Sequence, residues 1–170
     1  MRKIYILRAI LEFMLYFLLL GGVALLIITP FILTDSDWDI PIKINGVVSS
    51  SFDSVYSKIG LGVSVLSYFL FVYAIYLLKK TVNLFIKGKV FDNQAISNLS
   101  NIGKIFIIVT LIINTVEFIF KVTTTQNAEL MINSGFDSFL FVISIGLFFI
   151  IISEVFKIAK NMKDENELTI

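Results

Sequence analysis

Apolar positions in this chain neither alternate nor keep to one helical face; they run on in four blocks separated by short polar stretches. The first, Phe13 to Leu33, is 21 residues long and follows Arg2, Lys3 and Arg8. At 1.5 Å per residue such a helix covers about 31 Å, enough for a hydrocarbon core of about 30 Å. It is too long for the core of a cleaved signal peptide, so an uncleaved span is expected. The second block, Gly60 to Leu78, is closed by Lys79 and Lys80. The third lies between Lys104 and Lys121 and is interrupted by Glu117; the fourth covers about Phe136 to Phe156. Peptide groups in lipid must bond internally, which leaves helices or closed barrels. Continuous apolar runs, unlike the alternating segments of about ten residues in a barrel strand, select helices. The pattern predicts an all-α, integral membrane four-helix bundle forming a single domain over 1–170, with spans at about 13–33, 60–78, 105–120 and 136–156.

The polar connections orient the spans. The N-terminal segment, the Lys79–Lys104 connection and the segment after Glu154 hold 11 of the 14 Lys and Arg, leaving Lys43, Lys58 and Lys121 for the opposite side. The positive-inside rule then places both termini in the cytoplasm. Between spans one and two, the alternation in Ile40-Pro41-Ile42-Lys43-Ile44, followed by Asn45-Gly46, predicts a short β segment and turn in a small extracytoplasmic loop. Asp35, Asp37 and Asp39 precede it but lack the glycine and bidentate glutamate spacing of a calcium loop; Trp38 suits an interface. Between spans two and three, Asp92 or Asn93 is placed to cap a helix whose apolar positions Ile96, Leu99, Ile102 and Gly103 recur every three or four residues. That predicts a cytoplasmic amphipathic helix, lying on the inner leaflet or docking a partner.

Composition narrows the chemistry. Hydrophobic residues make up 57% and charged ones 16%, against about 25% charged in soluble domains, so lipid is the expected solvent. Cys and His are both absent, which removes thiolate or imidazole metal sites, disulfides and His-based relays. No glycine-rich phosphate loop appears, and the net charge of +1 argues against direct nucleic-acid binding. No enzyme activity and no cofactor are expected. Few Arg beside many Lys, Ile, Phe and Asn suggest an AT-rich bacterial genome.

Charges near or within the spans each require a partner. Glu12 follows Arg8 by four residues and Glu154 precedes Lys157 by three, so both can pair along their own helices. Glu117 lies about 20 Å along its helix from Lys104 and one turn before Lys121. It is either a structural pair near the outer face or a polar feature inside the bundle, with Thr110, Asn114 and Thr115 available for bonds between helices.

Two segments carry a family resemblance. Phe85-Ile86-Lys87-Gly88-Lys89-Val90-Phe91-Asp92-Asn93, with Ile96, Leu99, Ile102 and Gly103, resembles a "G-x-x-F … N … L … I-G" signature. Glu154-Val155-Phe156 and the closing Glu165-Asn166-Glu167-Leu168-Thr169-Ile170 resemble an "E-[IV]-F … E-x-x-L-T-I" ending. With four spans, the chain resembles the bacterial membrane family known as domain of unknown function 2975. Where that family carries more Arg around its last span, this chain has Lys157 and Lys160, which keep the charge but not the planar fork. The resemblance implies no catalytic residues. It implies a membrane component encoded beside a small helix-turn-helix regulator, and matches Gly88, Phe91, Asn93, Leu99, Glu154, Phe156, Leu168, Thr169 and Ile170.

The expectation is therefore a small regulatory protein of the bacterial inner membrane that binds a cytoplasmic transcription regulator. Phe85, Gly88, Phe91, Asn93, Leu99 and the Leu168–Ile170 tail are the expected contacts, with homo-oligomerisation open. The rivals are a small transporter, channel or immunity-type protein built around Glu117, and a structural subunit of a membrane complex.

Overall fold

The computed structural model describes residues 2–34, 42–44, 47–49, 55–125 and 139–167, with side chains for 3–34, 58–119 and 139–167. In chain order the elements are α1 (Arg2–Thr34), β1 (Ile42–Ile44), β2 (Val47–Ser49), α2 (Val55–Ile86), α3 (Asn93–Thr125) and α4 (Phe139–Glu167). All four helices are long and apolar enough to cross a membrane. With 29 to 33 residues each, they are about 44–50 Å long, well beyond a hydrocarbon core of about 30 Å. Each apolar run predicted as a span is thus the middle of a longer helix. Phe13, Phe17 and Leu20 on α1 are 74%, 69% and 72% exposed, surface that only lipid covers at low cost.

In the connection where alternation predicts a β segment, β1 and β2 pair antiparallel, with Ile44 opposite Val47. Asp35, Asp37, Trp38, Asp39 and the Asn45-Gly46 turn lie outside the described residues. So do residues 136–138, at the predicted start of span four.

The helices pack antiparallel and in chain order: α1 on α2, α2 on α3, α3 on α4. Among the described residues the backbones of α1 and α4 never approach within 8 Å, so the bundle is an open row. Leu11 and Leu15 meet Ile75 and Val82 in the α1–α2 seam. Tyr68 donates to the Leu18 carbonyl at 2.6 Å, its hydroxyl occupying the space where a side chain at Gly21 would stand.

One expectation needs correction. The amphipathic stretch after Asp92 is not a separate helix on the leaflet; it is the first turns of α3, continuous to Thr125. Ala95, Leu99 and Ile102 are buried in the protein. Their period runs in phase into the span, and α2 and α4 extend far enough to cover them. Protein, rather than lipid headgroups, takes the apolar face.

Candidate functional site

The best-buried part of the molecule is its lysine-rich end, where α2 turns into α3 and both meet the later half of α4. Two local signals build the turn. Gly88 has φ +74°, while Lys89 N–H donates to the Leu84 carbonyl at 2.9 Å and Gly88 N–H to that of Phe85 at 3.0 Å. This double bond pattern around a left-handed glycine is the Schellman ending of a helix. Four residues on, Asp92 Oδ1 accepts from Gln94 N–H at 2.8 Å, so Asp92 rather than Asn93 is the N-cap of α3.

The capped turn docks on α4. Phe156 meets Phe85 and Phe91, with ring centroids 5.9 and 5.7 Å apart. Lys160 Nζ donates to Asn93 Oδ1 at 2.7 Å, and Ser153 Oγ to the Ile96 carbonyl at 2.9 Å. Further along, Gly103 and Gly146 bring the α3 and α4 backbones together: a Cβ on Gly103 would run into the Gly146 carbonyl. Of the residues singled out by the sequence, Phe85, Gly88, Phe91, Asn93, Leu99 and Phe156 thus converge on one end. Leu99 is a buried packing residue there, whereas Phe91 remains exposed. Leu168, Thr169 and Ile170 lie outside the described residues.

The charges divide differently from a same-helix pattern. Glu12 lies 3.6 Å from Arg8, but its shorter contact, at 3.0 Å, is with Lys79 of α2. Sequence spacing pointed only to Arg8, because Lys79 is brought near by folding. Glu154 and Lys157 pair at 3.6 Å on the surface of α4. Lys80, Lys87, Lys89 and Lys104 form no ion pair among the described residues. Asn83 Oδ1 and Asn98 Nδ2 are buried without a hydrogen-bond partner close to this turn, two polar atoms that no sequence signal singled out.

Glu117 lies half-buried on α3, far from this end, and the Lys121 side chain is outside the described residues. The polar residues around it do not bond between helices as expected. Thr110, Asn114 and Thr115 each donate to a carbonyl four residues back on α3, at 2.7 to 2.8 Å. A backward bond satisfies a hydroxyl or amide in lipid without a neighbour, so these side chains do not need a second helix.

Comparison with family models matches residues 7–170 to the family described as Protein of unknown function (DUF2975), and the chain belongs to it. Neither the curated proteins nor the solved structures contain a match.

Proposed function

We propose that this member of the DUF2975 family is a bacterial regulatory membrane protein that holds a cytoplasmic helix-turn-helix transcription regulator at its lysine-rich end. One observation carries the reading. A capped, packed turn presents exposed Phe91 close in sequence to Lys87 and Lys89, which form no ion pair among the described residues. An apolar anchor flanked by such positive charge suits an acidic protein surface with a hydrophobic spot. A surface that reads DNA is itself basic, so the lysines attract a different face of the regulator. Control then comes from location: the regulator is kept at the membrane and released when the extracytoplasmic loop or the helix row responds to a signal. The protein acts by binding rather than catalysis, at the inner membrane with both termini inside.

Co-purification with a helix-turn-helix regulator of the kind that the family resemblance implies is encoded beside it tests the reading. The full chain should retain the regulator. Phe91→Ala combined with Lys87→Glu and Lys89→Glu should weaken binding about tenfold or more, corresponding to ~1.4 kcal/mol. Removal of residues 168–170 should weaken it as well. Absence of binding by the full chain, or binding indifferent to all these changes at equal membrane levels, would rule out this site.

A further inference from the structure

Polar side chains on α3 fall into two groups. Deep in the span, Thr110, Asn114 and Thr115 each donate to the carbonyl four residues back. Nearer the lysine-rich end, Ser97, Asn101 and Lys104 are exposed, and among the described residues their side chains form no hydrogen bond or ion pair. Spacings of four and three put these three on one face, which continues as the exposed apolar residues Ile108 and Leu111. Asn98 stands at the edge of the same face, only 5% exposed, with its Nδ2 buried and without a partner. The backward bond that serves the deeper polar groups is not used here.

Depth decides what can satisfy them. Lys79, paired with Glu12, lies seven residues before the end of α2 and so stands level with about the seventh residue of α3, close to Ser100. Phe71 of α2 meets Phe106 of α3 with ring centroids 6.0 Å apart, so the two helices keep this register into the span. Asn101 is therefore level with the ion pair, where the apolar part of α2 ends. Ser97 lies about 6 Å beyond it and Lys104 about 5 Å deeper. The headgroup layer of a leaflet is about 5–7 Å thick, so the three residues straddle it. Helical side chains lean toward the N-terminus, which lifts the Lys104 ammonium to the level of Asn101. Acyl tails offer these donors nothing, whereas phosphate oxygens at the same depth accept from them.

We infer that this face of α3 is a binding site for the headgroup of an acidic phospholipid. Lys104 and Asn101 donate to the phosphate oxygens, and Ser97 to the part of the headgroup nearer water. Asn98 Nδ2, one turn from Asn101, is a further donor that a rotation of its side chain brings to the same group. Charge selects the class of lipid. From Asn93 to Val116 the helix holds no Asp or Glu, so nothing on it opposes an anion and nothing on it pairs with the ammonium of a zwitterionic headgroup. The face lies to the side of Asn93, Ile96 and Gly103, which meet α4, and its three exposed residues are not among those assigned to the regulator.

Native mass spectrometry of the full chain reads this site directly. Released from nanodiscs of equal phosphatidylglycerol and phosphatidylethanolamine, the protein should retain the acidic lipid several-fold more abundantly. Lys104→Gln combined with Asn101→Ala should remove that preference at unchanged helix content, since both positions are exposed. Lys163→Gln takes the same charge from the exposed end of α4 and should leave the preference intact. Excess inorganic phosphate should not displace the lipid. The inference is overturned by a parent chain without preference, by a double variant that keeps it, or by an equal loss in Lys163→Gln, which would report net charge alone. Displacement by inorganic phosphate would make this a site for a free anion instead. A lipid-free dimer that depends on Lys104 and Asn101 would give the face to a second copy, and would overturn the inference as well.

Discussion

At Gly88 the backbone enters the left-handed region, and a Cβ added there would meet nothing within 4 Å. Any penalty for a side chain is therefore conformational. Gly88→Ala should lower stability by ~1 kcal/mol, and Gly88→Asn by less, since Asn tolerates this region better. Thermal unfolding of the detergent-solubilised protein checks the order; equal midpoints for all three would show that α2 does not end in this way. The glycine was legible in the sequence as part of a string, and Asp92 as one of two caps. What the string did not reveal is why Phe91 and Asn93 accompany them. Their partners, Phe156 and Lys160, stand more than sixty residues away, and only the packing of α4 unites them.

Between elements, the α3–α4 crossing depends on two glycines that share no local signal. A side chain at Gly103 meets the Gly146 carbonyl and the Ile150 backbone, and neither can move without shifting a helix. Gly62, by contrast, has open space around it. Gly103→Val should therefore cost ~1–3 kcal/mol, in the range of an overpacked core, while Gly62→Val costs far less. Heating membranes and measuring the fraction still extractable as folded protein separates the two; equal loss for both would remove the close crossing from the account. Sequence periodicity placed Leu99, Ile102 and Gly103 on one face correctly but offered that face to the inner leaflet or to a docking partner, rather than to α2 and α4. Hydrophobic period reports that a face is buried, and says nothing of what buries it. The same gap explains Glu12, whose nearest base by sequence is Arg8 and whose nearest in space is Lys79.

For the whole molecule, depth in the membrane is the quantity that charge and length jointly determine. Lys58 and Lys79 bracket 20 residues of α2, about 30 Å of helix, which matches one hydrocarbon core. Arg2, Lys3, Arg8, Lys79, Lys80, Lys87, Lys89, Lys157, Lys160 and Lys163 then gather at one end, with few basic residues at the other. The positive-inside rule makes a cytoplasmic placement of that end the expected one. An impermeant thiol reagent on intact cells should therefore label Asn45→Cys directly. Lys89→Cys, on the exposed turn, should be labelled only after the membrane is opened. Labelling of Lys89→Cys in intact cells would put the capped turn outside. It would end the case for a cytoplasmic regulator.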